Sequence, residues 1–211
     1  MSKMPPTNIM NMPNISIVIP FYFGMENWQF FLTRCLESIE KQTFTDYEII
    51  LIKHSTMPIT SNRVIESAKG EIIKVLYMDD WLESEDYLEQ IYNIFRFPDT
   101  QWVITPASTN KDPQWTDDIH IGNNKLGSPS ALAFRNNFNE VGNELFDEGL
   151  SWMLDCDLYK RLEIIFGKPT ILTGIVVGIG EHANQMTHIL TDQQKQDEVN
   201  YLRKKYGGVV K

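Results

Sequence analysis

Apolar and polar positions in the first half of the chain switch between a period of two and a period near 3.6. Ile15-Ser16-Ile17-Val18-Ile19, closed by Pro20, is a β-branched run that reads as a buried parallel strand. From Asn27 to Gln42 the apolar residues Trp28, Phe31, Leu32, Cys35, Leu36 and Ile39 recur at helical spacing on one face. Tyr47 to Ile52 is a second strand, so the opening forms a βαβ unit with a right-handed crossover. A short helix over Ser61–Lys69, ended by Gly70, leads to a third strand over Glu71–Tyr77. A helix capped by Ser84 runs to Phe95 near Pro98, and Gln101–Thr105 is a fourth strand. This alternation predicts an α/β fold, a Rossmann-like three-layer arrangement around a mostly parallel sheet.

The pattern then changes. Residues 106 to 126, rich in Asn, Asp, Pro, Trp and Gly, read as a long loop of the kind usually reserved for function. Ala131–Arg135 reads as a strand, Phe146–Gly149 as a turn, Ser151–Phe166 as a helix, Thr170–Val177 as a strand and Asp192–Tyr206 as a charged terminal helix. Four stretches result: a flexible N-terminus over 1–13, two halves of one domain over 14–105 and 106–190, and a C-terminal helix and tail over 191–211.

Composition narrows the class. With 42% hydrophobic residues the 211-residue chain can bury a real core, and a formal charge of -9 disfavours nucleic acid or an anionic membrane surface as the main partner. Cys35 and Cys156 lack metal or redox spacing and read as reduced core thiols. The N-terminus has no apolar signal core, and the least polar stretch, Pro169–Gly180, is too short for a transmembrane segment. A soluble cytoplasmic protein is the expectation.

The third strand ends at Met78-Asp79-Asp80. Ligands of open α/β sheets bind beyond the carboxyl ends of strands, where paired carboxylates suit a cation carrying an anionic ligand. An Asp pair also serves simply to solvate and cap a turn.

Several short motifs around this pair occur in a suggestive order. Ser16-Ile17-Val18-Ile19-Pro20, Cys35-Leu36-Glu37-Ser38-Ile39-Glu40-Lys41-Gln42-Thr43-Phe44 and Asp46–Ile52 resemble the opening of a family 2 glycosyltransferase of GT-A fold. Ser61-Asn62-Arg63 stands where that family often has an Ala-Arg-Asn turn, and Ala68-Lys69-Gly70-Glu71-Ile72-Ile73 is similar to its next signature. Met78-Asp79-Asp80 falls on its D-x-D region, while Phe146-Asp147-Glu148 and Leu154-Asp155-Cys156-Asp157-Leu158 resemble its Phe-Asp-Glu turn and catalytic-base site.

The resemblance implies metal-assisted transfer of a sugar, hexosyltransferase chemistry with inversion, from a nucleoside diphosphate donor such as a UDP-sugar to a carbohydrate or other hydroxyl acceptor. Residues 14–105 become the nucleotide-sugar half and 106–190 the acceptor and base half. Asp80 is the implied ligand of Mn2+ or Mg2+, joined by His182, with Asp79 on the ribose or donor sugar. Asp155 is the implied general base, although a first-turn carboxylate can equally be present for the helix dipole. Pro20, Phe21 and Tyr22 are implied in nucleotide binding, together with His54 and Arg63. Trp81, Trp115 and Trp152 are candidate platforms for acceptor sugars, core packing being the ordinary alternative for any Trp.

Two departures stand out. Lys53-His54-Ser55-Thr56 replaces the family's Asp-Asp-Gly-Ser, and Tyr77 stands where many members have the first acid of the metal motif. They leave open a nucleotide-sugar-binding module of the same fold that has lost chemistry. A nucleotidyltransferase is disfavoured because Pro20-Phe21-Tyr22-Phe23 offers no glycine-rich phosphate loop.

Overall fold

The computed structural model describes residues 12–24, 26–53, 56–137, 145–183 and 185–207. The first half contains β1 (Ile15–Phe21), α1 (Trp28–Glu40), β2 (Tyr47–Lys53), α2 (Met57–Glu66), β3 (Ile72–Val75), the two-residue β4 (Trp81–Leu82), α3 (Tyr87–Phe95) and β5 (Trp102–Ile104). After two 3-10 turns, Ile119–Ile121 and Pro129–Ala131, come β6 (Leu132–Arg135) and α4 (Leu154–Phe166). The strands β7 (Thr170–Ile171) and β8 (Val177–Gly178) and the helices α5 (Met186–Ile189) and α6 (Asp192–Tyr206) follow.

Six strands form one mixed sheet in the order β2-β1-β3-β6-β5-β7. Strand β1, buried along its whole length, pairs in parallel with β2 and β3, and β5 pairs in parallel with β7. The mostly parallel α/β expectation therefore holds. The exception is β6, antiparallel to both β3 and β5. No crossover helix separates β5 from β6: the 106–126 loop returns the chain to the sheet edge it left, and a strand re-entering there must run backwards. Ile17, Val18, Ile19, Ile39, Ile73, Val75, Trp102 and Leu132, each at most 1% exposed, belong to one continuous core that also takes in Leu158 and Leu202 from the C-terminal helices.

Several element boundaries differ from the sequence reading. The helix expected from Ser61 begins at Met57, with Pro58 in its first turn, where a missing N–H is harmless. Thr60, Ser61 and Asn62 face inward, and Asn62 exchanges two hydrogen bonds with the backbone of Phe146, at 2.9 and 2.8 Å. Ser84 does not cap α3, whose N-cap position is Asp86. The helix expected from Ser151 begins at Leu154. The expected strand Thr170–Val177 is two strands of different sheets, because Gly174 (φ 100°) turns the chain in the left-handed region. Strand β8 then pairs with β4, Trp81 opposite Gly178 and Leu82 opposite Val177. That small second sheet brings residues 178–182 against the acidic end of β3.

Candidate active site

Beyond β3 the chain turns tightly, the Asp80 N–H donating to the Tyr77 carbonyl at 3.0 Å. Asp80 is 2% exposed, and its Oδ1 accepts the Gly180 N–H at 2.9 Å. Burial, and then the neighbouring charge of Asp79, push its carboxyl well above the usual carboxylate range. Lys74, fully buried on β3, donates to the carbonyls of Val75 (2.9 Å) and Ser130. Burial lowers its amine to about 7, and the field of Asp80 opposes that fall. The charge of Lys74 in turn draws the Asp80 carboxyl down, by less than burial raises it.

Asp79 points the other way. Its Oδ2 lies 3.0 Å from Nε2 of His182, whose ring packs 5.5 Å from that of Phe31. Arg34 of α1 donates to the Asp79 carbonyl at 2.6 Å and stacks on Trp81 at 3.8 Å. Gly180 lies so close that a Cβ there would come 2.2 Å from the Asp79 carbonyl oxygen.

Asp155 occupies the first turn of α4. Its Oδ1 accepts the Cys156 N–H at 2.7 Å and its Oδ2 accepts Nδ2 of Asn124 at 2.8 Å. Asn124 is itself held, since its Oδ1 accepts the N–H groups of Leu126 (2.9 Å) and Gly127 (3.0 Å). Burial raises the Asp155 carboxyl to about 6, while those hydrogen bonds work against the shift. It remains mostly ionised at pH 7, yet is a stronger proton acceptor than an ordinary aspartate.

Asp79, Asp80, His182 and Asp155 line one cavity of about 550 Å³. Pro20, Phe21, Tyr22 and Trp152 line it too, which gathers most of the residues singled out from the sequence. Tyr77, at the site of the missing acid, also contributes to the wall, its phenol pushed above the ordinary range by burial.

Three expected residues are not brought there. Arg63 is exposed on α2, away from the lining. Trp115 is half-buried, edge-on to Trp102 at 6.1 Å, with its Nε1 donating to Asp117 at 2.8 Å. Trp81 is covered by Arg34 and by Gly178, where a Cβ would come 2.0 Å from the indole. No ring face of it is left for a sugar. His54 lies outside the described residues.

Arg34, Lys74 and Asn124 escaped the sequence reading. Lys74 left one trace, a lone cation inside the apolar strand Ile72-Ile73-Lys74-Val75-Leu76.

Among the described residues no three His, Cys, Asp or Glu side chains form a group able to hold a metal ion. The Asp79–His182 pair supplies two donors, which fits an ion that arrives with phosphate oxygens to complete its shell and does not fit one held by protein alone.

No family model matches the chain. A stretch covering 39% of it is 27% identical to "Putative glycosyltransferase EpsH" of Bacillus subtilis (strain 168), and it spans only 30% of that relative's length. Among solved structures, S. aureus TarS 1-349 in complex with UDP-GlcNAc superposes with a TM-score of 0.64 at 14% identity, covering 91% of this chain and 66% of TarS. The complex of TarS 1-349 with UDP gives 0.59 at 12% identity, covering 92% and 72%. The chain thus shares the mixed α/β fold of TarS. No helix of the described residues is long and apolar enough to cross a membrane.

Proposed function

We propose that the chain is an inverting glycosyltransferase of GT-A type that transfers a hexose from a UDP-sugar to an acceptor hydroxyl. The observation that carries this reading is the single cavity in which Asp79 and His182, from the sheet end, meet Asp155, from the start of α4. The sequence likeness to a protein named as a glycosyltransferase and the shared fold with TarS, solved with UDP and with UDP-GlcNAc, support it.

In this reading Pro20, Phe21 and Tyr22 receive the nucleoside, and Asp79 with His182 holds the diphosphate through Mn2+ or Mg2+. This reading moves the cation from Asp80, the ligand expected from sequence, to Asp79. Asp80 is turned to the Gly180 amide and anchors the 178–182 segment, which leaves Asp79 as the more accessible carboxylate. Bound there, the cation would offset the charge that develops on the departing diphosphate. On the acceptor side, Asp155 takes the hydroxyl proton as oxygen attacks the anomeric carbon, and the Trp152 ring offers an apolar face to the acceptor.

Thermal melting with UDP tests the donor half of the proposal. UDP with Mn2+ should raise the midpoint, and the rise should vanish with EDTA. An equal rise under both conditions removes the cation from the site. A screen of nucleotide sugars for hydrolysis then identifies the donor.

A further inference from the structure

Helix α6 is strongly polar, yet it is fastened to the body of the protein along one face. Lys195 donates to the Thr187 carbonyl at 2.8 Å and lies 5.7 Å from the Trp152 ring centre. Tyr201 and Lys205 reach Asp147, at 2.8 and 2.9 Å, and Lys205 and Tyr206 both reach the fully buried Asp157 at 2.7 Å. Between these contacts stands Glu198. Its Oε1 accepts the N–H of Ser151 at 2.9 Å, and its Oε2 accepts those of Trp152 and Met153 at 2.9 and 2.8 Å.

Three successive backbone N–H groups converging on one carboxylate make an anion nest, and this one lies at the positive end of α4. The next residues are Leu154 and Asp155. We infer that Glu198 is a positioning residue for the transfer proposed above: its carboxylate fixes the segment that presents Asp155 and sets a negative charge at the start of that helix. The inference rests on the reading of Asp155 as the base.

Among the other groups around Asp155, Asp157 stands in the same helix turn but is paired with Arg161 and Lys205, and Asp79 and Asp80 lie across the cavity. Asn124 from the long loop is neutral. The phenols of Tyr77 and Tyr159 and the thiol of Cys156 are pushed upward by burial and stay protonated. Glu198 is the acidic side chain that α6 brings to the start of α4. Without its charge the helix dipole acts on Asp155 with less opposition, and the ionised carboxyl becomes easier to form.

The test uses the full chain with 13C-labelled aspartate carboxyls, the Asp155 signal being assigned by its loss in Asp155→Asn. Glu198→Gln keeps the side chain's shape and one accepting oxygen but removes the charge. The Asp155 titration midpoint should fall by about half a pH unit in this variant, the size of a typical helix-end charge effect. Once a donor is known, the acid limb of its hydrolysis should move down with it. Glu198→Ala should also lower turnover by about tenfold through displacement of the base. Leu202→Ala, which empties a fully buried site on the same helix, serves as the control: it should melt earlier and leave the Asp155 midpoint in place. An unchanged midpoint in Glu198→Gln overturns the inference, whatever that variant's stability. If no nucleotide sugar is turned over, the glycosyltransferase reading fails by itself, and the carboxyl titration still decides whether Glu198 governs Asp155.

Discussion

The two sides of the cavity are built by different means. On the side proposed for the donor, Asp79 and Asp80 follow a buried strand of the main sheet, and their neighbours are fixed by hydrogen bonds to backbone and close main-chain contact. On the side proposed for the acceptor, Asp155 follows an irregular segment, and its bearing is set by side chains from elsewhere, Asn124 from the long loop and Glu198 from the last helix. The first arrangement is rigid because strand pairing and core burial determine it. The second is a polar assembly that single substitutions can retune without dismantling the fold.

The sharpest way to separate the two sides is Asp155→Asn. Transfer should drop by about 10²- to 10⁴-fold, the usual contribution of a positioned general base. UDP affinity with Mn2+, measured by calorimetry, should stay unchanged. Retained turnover would break the assignment of Asp155 as base, whereas the binding-module reading requires no turnover even before the substitution.

Asp79→Ala should do the reverse. Loss of a charged ligand should weaken Mn2+-dependent UDP binding by about ten- to a hundredfold, roughly 1.4 to 2.8 kcal/mol. The Asp155 carboxyl titration should not move. If both binding and that titration change, the two sides are not independent.

A smaller effect is expected of Asn124→Ala. The Asn124 amide favours the ionised carboxylate of Asp155, so its removal raises a pKa that already stands at about 6. A pH–rate profile should show the acid limb shifted upward; if the shift is near half a unit, turnover falls about threefold at pH 5 and by less than about a fifth at pH 7. The direction is opposite to that expected of Glu198→Gln, so the pair of variants brackets the local field.

The last effect is on stability, and its sign is fixed. Asp155 binds its proton more tightly folded than unfolded, so its contribution favours the fold at low pH and is lost as pH rises from about 4 through 6. Asp155→Asn should therefore be more stable at pH 7.5, by about 1 to 2 kcal/mol once access to cleft water discounts the full shift. Chemical denaturation at pH 4 and pH 7.5 should show the gain only at the higher value.

This difference in construction also decided what the sequence disclosed. β1 and β2 were readable because strands buried in a parallel sheet are continuous apolar runs. Helix α6, Asp192–Tyr206, was legible from its charge and its length. Asp79 and Asp80 stood out because they follow an apolar run at a strand's end, whereas Asp155 was singled out by the resemblance its motif carries. Trp81 could not be placed, since whether an indole has a free face depends on Arg34 and Gly178, both distant in sequence. Asn124 meets Asp155 across 31 residues and Glu198 meets Trp152 across 46, and local periodicity carries no information about contacts at such separations. The apolar run after Thr170 misled because burial is shared by both sheets, while Gly174 alone divides it between them.

Gly180 donates its amide to Asp80 and lies against the Asp79 carbonyl, with no side chain of its own. Suppose every position were replaced in turn and each variant scored for activity. Position 180 would then rank with Asp79 and His182, because any added carbon drives their two segments apart. Gly178, wedged against Trp81, would rank beside it. In this molecule, sensitivity to substitution along 178–182 would mark where two stretches of chain must touch.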